Sequence, residues 1–476
     1  MFAPATSLSE SKNDMPSSVP LTARAVAAYV LTRADPKKGD VVDTLADFLR
    51  RTKEPQRATD IVFGVLKNNC LIDNLIEKVS AVPVGRISGK ILNILRVGVY
   101  ELVYCPQAAE YAIVDEAVDY SKRVAGAKQT GFVNAVLRHL LRHIRGRQKP
   151  IEQSRLRETI PQTLDMGCEF DFEILPDRDE SPCEYLACAF SLPDWLVQNW
   201  LDEYGREQTE NICFASNRRP SVYLRPNSLK TTAGELAEKL RAADIECEIE
   251  PESQMIKLTS PKAITLLPGF DDGLFVVQDL SAAEVVRALK PKPGWTILDL
   301  CAAPGTKTTQ LAEATGGKAK ITATDIDTDR LEMVKENIIR LGLSDSITTV
   351  EFIDIEKQGG FDCVLVDVPC SNTGVLARRP EVRHRITKSD VKKLAKTQMM
   401  LLSKAAGMLN PKGIICYSTC SIQPEEDGLL VREFIKENPS FRIESENLIL
   451  PSAEMFDRDG SYTAIMTSVR KTETVD

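Results

Sequence analysis

Between residues 21 and 147 apolar side chains return at every third or fourth position. Ile91, Leu92, Leu95, Val99, Leu102 and Val103 share one face, and Val133, Val136, Leu137 and Leu140 share another, the spacing of amphipathic helices. Pro106 closes the first of these stretches. With little β-branched alternation, the segment predicts an all-helical domain over 21–148. From 183 to 272 the pattern is mixed. It predicts a helix over Leu192–Tyr204, a strand over Ser221–Arg225, a helix over Thr232–Ala242 and strands near Cys247 and Ile256, together a small α+β unit. From 273 to 473 strands alternate with helices. The strands are Thr296–Leu300, Ile321–Asp325, Ile347–Phe352, Cys363–Asp367 and Gly413–Thr419, with Tyr462–Arg470 returning as a last one. The helices are Thr308–Ala314, Thr328–Leu341, Ser389–Leu409 and Glu425–Glu437. Such alternation predicts an α/β domain built on a parallel sheet with both faces covered. The acidic stretch 149–182, with Pro161, Pro176 and Pro182, reads as a linker. The Ser-, Pro- and Ala-rich residues 1–20 read as a disordered tail.

Composition narrows the class. A chain of 476 residues exceeds one ordinary core, so a multidomain protein is expected. No apolar run reaches the roughly 18 residues that span a membrane, and the first residues lack the basic start and apolar stretch of a signal peptide. A cytoplasmic monomer without membrane contact is expected. Twelve cysteines are scattered along the chain, which favours free thiols over a disulfide framework. The three histidines are His139, His143 and His384. His139 and His143 stand one helical turn apart without Cys or carboxylates close in sequence, so no metal site is expected. A serine hydrolase is equally disfavoured by so few histidines.

The net charge of −8 does not announce a nucleic-acid binder, but the charge is segregated. Lys122–Lys149 holds eight Lys/Arg and no acid, and Arg378–Lys396 holds eight against Glu381 and Asp390. A single basic run is as readily a solvated helix face; two suggest a track for phosphates.

The chemistry-bearing motifs all fall at strand C-termini, where open α/β sheets bind ligands. Strand Thr296–Leu300 runs into Cys301-Ala302-Ala303-Pro304-Gly305-Thr306-Lys307. Small residues allow close backbone approach, and the free N–H groups of the following helix, with Lys307, suit a carboxylate. The spacing is neither GxGxxG nor a P-loop. Asp325, about 20 residues past that turn, is placed to accept from a ribose diol. Asp354, after the third strand, is placed for an adenine amino group.

The fourth strand ends in Asp367-Val368-Pro369-Cys370-Ser371 and the fifth in Tyr417-Ser418-Thr419-Cys420-Ser421. If these strands are neighbours, two thiols share one crevice, because adjacent strands lie about 4.8 Å apart. A thiolate adding to C6 of a cytosine makes C5 nucleophilic enough to take a methyl group, a hard step split into easier ones. Asp367 is placed to hold or protonate the cytosine edge during that attack.

On these residues the chain resembles the RsmB-type members of the Sun family of RNA (cytosine-5)-methyltransferases. The likeness is carried by Leu298–Lys307, Asp325-Ile326-Asp327, Asp367–Gly374 and Ser418–Ser421. It implies a Rossmann-like catalytic domain that uses S-adenosyl-L-methionine, bound by Cys301, Ala302, Ala303, Pro304, Gly305, Thr306, Lys307, Asp325, Asp354 and Asp367. It implies Cys420 as nucleophile and Cys370 as the residue that assists release. Leu95–Leu102, Ile113–Val118 and Gly131–Arg138 resemble NusB, which implies an RNA-binding helical domain over 21–148. A small RNA-binding subdomain over 183–272 and small-subunit ribosomal RNA as substrate follow from the same resemblance. Thr306 stands where the family has a second Gly. A β-branched residue tolerates positive φ poorly, so Thr306 is expected at φ < 0 with the loop adjusted around it. Two alternatives are an RNA-binding assembly protein whose catalytic domain is incidental and an amine or amide methyltransferase. The second usually carries Asn/Asp-Pro-Pro-Tyr/Phe where this chain has Asp-Val-Pro-Cys.

Overall fold

The computed structural model describes residues 21–260 and 263–469, and the tail expected over 1–20 lies outside them. The chain forms two compact units that divide in the segment between residues 154 and 175.

The first unit is helical: α1 (Ala23–Arg33), α2 (Val41–Leu49), α3 (Pro55–Lys67), α4 (Asn69–Ser80), α5 (Gly89–Tyr104), α6 (Glu110–Val124) and α7 (Ala127–His143). Helix α5 is its axis, with Leu95, Val99 and Leu102 fully buried. Its core also takes in Arg24, whose guanidinium bonds Glu101 and Glu116, while Arg57 reaches Glu101 at 2.9 Å. Buried charges persist when paired in this way. His143 meets a carboxylate that the sequence spacing hid: its Nδ1 lies 2.7 Å from Asp171, and its Nε2 lies 3.0 Å from that of His139.

Residues 149–182 depart from the expected linker. They carry β2 (Thr159–Pro161) and β3 (Met166–Phe170), which join β1 (Ile144–Pro150) in a small sheet of order β1-β3-β2. The acidic composition misleads because the charge is used: Glu169 is buried and paired with Lys149, beside the buried Cys168 and Phe170.

The second unit opens with α8 (Pro182–Phe190) and α9 (Asp194–Asn217), the latter kinked at Gly205. A four-stranded antiparallel sheet follows, of order β5-β6-β4-β7. Its strands are β4 (Val222–Pro226), β5 (Cys247–Ile249), β6 (Ile256–Leu258) and β7 (Phe275–Val277), covered by α10 (Ala233–Arg241). Phe275 on β7 is fully buried with Leu224, Leu236 and Ile256. This sheet therefore extends past residue 272, the limit drawn from the sequence.

The larger sheet has order β10-β9-β8-β11-β12-β14-β13. Its parallel strands are β8 (Thr296–Asp299), β9 (Lys320–Ala323), β10 (Ile347–Thr349), β11 (Phe361–Asp367) and β12 (Leu409–Thr419). Antiparallel β14 (Ser461–Ser468) lies against β12, and β13 (Phe441–Ile449) forms the edge. The helices are α11 (Leu280–Leu289), α12 (Thr306–Ala314), α13 (Thr328–Leu341), α14 (Lys388–Gly407) and α15 (Gly428–Glu437). Separate apolar clusters fill the two faces, one with Leu311 and Val334, the other with Leu402 and Phe434. Near-continuous apolar strands such as Cys363–Val366 are what a doubly covered parallel sheet requires.

Arg225 on β4 ties the two sheets of this unit together. Its guanidinium meets Glu313 on α12 at 2.8 and 3.1 Å and donates to the Thr306 carbonyl at 2.9 Å and the Thr309 hydroxyl at 3.1 Å.

Candidate active site

Strand β8 delivers Asp299, then the turn 300–305. Gly305 has φ of 96°, and a Cβ there would meet Val334 at 3.2 Å, so the residue must be Gly. Thr306 is the first residue of α12 and is absent from the described residues with positive φ. The loop thus places its left-handed residue one position before the threonine. The turn is fixed by backbone bonds: Ala302 N–H donates to the Thr324 carbonyl at 2.9 Å and Ala303 N–H to Asp325 Oδ2 at 3.1 Å. Arg330 and Asn337 donate to the Ala303 and Pro304 carbonyls. No side chain caps α12, which leaves its first N–H groups turned toward the rim.

Asp325 follows β9 and is buried; its second oxygen accepts from Asp327 N–H at 3.0 Å. Asp299 accepts from the Thr308 hydroxyl at 2.7 Å through one oxygen, while the other is buried with no hydrogen-bond partner. Burial, partly offset by that hydroxyl, pushes the Asp299 carboxyl up to about 7. The neighbouring Asp367 and Asp325 charges add to the rise. Burial also drives the Cys301 thiol up.

Two expected residues sit differently. Lys307 turns to Asp367, with Nζ 2.6 Å from Oδ2, and is not a free cation at the helix end. Burial lowers its proton affinity, but the Asp367 charge and hydrogen bond outweigh this and hold the ammonium above its usual value. Asp354 lies on a short 3-10 turn, Phe352–Lys357, half-exposed and paired with Lys357.

Strands β11 and β12 are neighbours, in the register Asp367↔Ser418. Ser418 donates to Asp367 Oδ1 at 2.7 Å, so Asp367 is held between this hydroxyl and Lys307. Beyond the strand ends the Cys370 and Cys420 sulfurs lie 2.8 Å apart, both as free thiols. Cys370 is buried and Cys420 partly exposed. The hydrogen bond to Cys420, then burial, then the Cys420 and Glu426 charges hold Cys370 well above an ordinary thiol. Asn372, in the left-handed region at φ of 60°, accepts from the Cys420 thiol at 3.3 Å. Gly374 lets two backbones meet: a Cβ there would stand 2.8 Å from the Cys420 carbonyl and 2.7 Å from that of Gly460.

A cavity of about 270 Å³ opens over Cys420 and Lys307, with Tyr223, Arg378 and Asp459 in its wall. The sequence placed Arg378 in a phosphate track, but the structure spends it on Asp279 and Asp459. Arg383 is likewise buried, donating to the Phe190 and Ser216 carbonyls. The exposed bases of that run are Arg379, Arg385 and the α14 lysines Lys388, Lys392, Lys393 and Lys396. In the first unit Arg147 is tied to carbonyls of the α5 end, while Arg123, Lys128, Arg138, Arg142 and Arg145 are exposed. Sequence reasoning missed Asp299, hidden as the last residue of an apolar strand, and Glu426, hidden in an acid-rich turn.

Family models divide the chain in the same places. Residues 286–466 match the 16S rRNA methyltransferase RsmB/F model, 192–265 the ferredoxin-like domain of RsmF/B-like methyltransferases, and 21–142 the NusB family. The sheet and its rim are therefore the catalytic domain of a methyltransferase. The probable ribosomal RNA small subunit methyltransferase B of Bacillus subtilis is 31% identical over 84% of this chain and 85% of its own length. That of Synechocystis is 33% identical over 81% and 82%. The chain belongs to the ribosomal RNA small subunit methyltransferase B family. In fold it is similar to the crystal structure of PH0851, with a TM-score of 0.72 over 93% of this chain and 98% of that one at 22% identity.

Proposed function

We propose that this enzyme transfers a methyl group from S-adenosylmethionine to C5 of a cytosine in small-subunit ribosomal RNA, through a covalent bond between Cys420 and C6. The observation that carries the reading is the meeting of two unlike thiols, one buried and held protonated, the other partly exposed at a cavity. An amine or amide methyltransferase has no use for such a pair.

The residues at the β8–β9 rim fit the cofactor. The unpartnered buried oxygen of Asp299 calls for a donor such as an ammonium group. The uncapped N-terminus of α12 suits a carboxylate, and Asp325 suits a ribose diol. Cys301–Lys307 and Asp367 complete the assigned set. Asp354 is half-exposed and shares one carboxylate oxygen with Lys357. When bound, S-adenosylmethionine supplies an electrophilic methyl group.

Asp367, steadied by Lys307 and Ser418, holds the edge of a cytosine lifted from its stack into the cavity. Cys420, partly exposed at the cavity, gives up its proton to solvent, and its sulfur bonds C6 as the C5–C6 π electrons pass to C5. C5 takes the methyl group and then loses its proton to a base. The returning electrons break the C6–S bond, and Cys370 donates a proton to the departing Cys420 sulfur. The exposed bases of each unit contact RNA phosphates, which makes binding fall with salt. The test is to map 5-methylcytosine in small-subunit ribosomal RNA from cells with the protein, without it, and with Cys420→Ala. One cytosine should lose its mark in the last two; full marking with Cys420→Ala would overturn the covalent reading.

A further inference from the structure

The residue that follows each cysteine is a serine, and both serines run to one carboxylate. Ser371 donates to Glu426 through its N–H, at 2.8 Å to Oε1, and through its hydroxyl to Oε2. The Ser421 hydroxyl donates to Oε2 at 2.6 Å. Gln398 Nε2, from α14, donates to Oε1 at 2.9 Å and also to the Pro369 carbonyl at 3.0 Å. Glu426 is fully buried, as are Ser421, Gln398 and Thr373. Among the described residues no Lys or Arg pairs with it.

These four donors meet two oxygens. An ionised carboxylate accepts four hydrogen bonds, whereas an amide of the same shape offers one acceptor oxygen and two donors. The site is thus built for an anion in particular, held by hydrogen bonds instead of a cation. A solvated acid would serve no such purpose, and a purely apolar filling would leave the two loops free to slide. Thr373 extends the knot: its hydroxyl oxygen lies 3.2 Å from both serine oxygens, with one proton to give to one of them, and accepts from Ile422 N–H.

We propose that Glu426 is the positioning residue of the two-thiol site, holding the segments after Cys370 and Cys420 together so that both sulfurs act on one carbon–sulfur bond. The inference rests on the covalent reading above. The Glu426 charge is also among those that keep Cys370 protonated, the form needed to hand a proton to the leaving Cys420 sulfur. Glu426 itself touches neither substrate nor cofactor.

The test compares the full chain with Cys370→Ala and Glu426→Gln, using a small-subunit ribosomal RNA transcript and S-adenosylmethionine with a labelled methyl group. Both the rate of transfer and the RNA held in a denaturant-resistant complex are read, per folded molecule. Glu426→Gln should lower kcat roughly 10- to 100-fold, the scale of a small misplacement of reacting groups, with KM unchanged. It should also raise the trapped fraction toward that of Cys370→Ala and move the alkaline limb of the pH–rate profile down, because Cys370 loses an adjacent charge. A merely structural role would lower the amount of folded protein and move neither the trapped fraction nor the profile. If Cys370→Ala traps RNA while Glu426→Gln behaves as the unaltered enzyme, the positioning role alone is overturned. If Cys370→Ala traps nothing, the covalent reading falls and takes this one with it. Should Glu426→Gln not fold, Ser421→Ala removes one of the four donors and should shift the same readouts in the same direction. An unchanged trapped fraction there would equally overturn the proposal.

Discussion

At the β8–β9 end of the rim the loops are tied through backbone groups, and the buried Asp299 keeps one oxygen in reserve. At the β11–β12 end the loops are tied through side chains, and the side-chain oxygens of Asp367, Ser371, Ser421 and Glu426 are already matched. Ala302, Ala303 and Pro304 are fixed by carbonyls and N–H groups, while Asp299 retains an unpartnered oxygen. Asp367, Ser371, Ser421 and Glu426 are instead locked to one another or to Lys307. An end with acceptors to spare gains by binding something. Residues locked to one another around two thiols gain by keeping reacting groups in place. Substitutions at the first end should therefore appear in affinity, and at the second in chemical steps.

The largest effect is expected at the thiols. Cys420→Ala should abolish methyl transfer and hold no RNA on a denaturing gel. Cys370→Ala should form the bond yet release it slowly, so RNA accumulates in a denaturant-resistant complex. The reverse pattern would exchange the two roles, and normal turnover by both variants would end the covalent account.

Next is Asp325→Ala, which removes a charged acceptor from the cofactor end. A hydrogen bond to a charged group contributes about 1.5–3 kcal/mol, so S-adenosylmethionine affinity by calorimetry should fall roughly 10- to 100-fold. Transfer at saturating cofactor should change far less. A loss confined to kcat would erase the distinction between the two ends.

A smaller effect tests the reserve at Asp299. Its folded value near 7 lies above the ordinary aspartate value of 3.8, so the folded state binds a proton that the unfolded chain has released. The support it gives the fold is complete below about 3.8 and is withdrawn as pH rises to about 7. Asp299→Asn, which cannot ionise, should gain on the unaltered protein between pH 4 and 8, by at most a few kcal/mol at roughly 1.4 per unit. Parallel denaturant midpoints at both pH values would remove Asp299 from the argument.

How much of this was legible in the sequence depended on whether a residue acts locally. The helical period of α5 and the strand–helix alternation follow from spacing, and the convergence of Cys370 with Cys420 follows once β11 and β12 are neighbours, because adjacent strands that end at one rim carry their next residues into one crevice. Thr306 was legible too, since a β-branched residue excludes positive φ and Gly305 stands ready beside it. Partners distant in sequence were not. Arg378 reads as a phosphate ligand until Asp279 and Asp459, 99 and 81 positions away, are seen to occupy it. Glu426, inside the helix expected over Glu425–Glu437, gives no sign of its role until the two serine loops close over it. Residues 149–182 read as a linker because composition registers the charge of Glu169 and not its pairing with Lys149.

Arg225 gives the join between the two sheets of the second unit a meaning for anyone who would take the protein apart. By sequence, residue 273 looks like a place to cut. A fragment beginning there keeps Glu313, whose side chain is 5% exposed, and discards the guanidinium that neutralises it. Within the intact unit, breaking this buried pair from one side costs about 3–5 kcal/mol, a large share of what holds a domain folded, and a cut at 273 also uncovers the face of α12 that carries Glu313, Thr309 and the Thr306 carbonyl. The catalytic sheet is therefore not a portable cassette. A transplant or a minimal enzyme has to begin upstream of β4 and carry the smaller sheet with it.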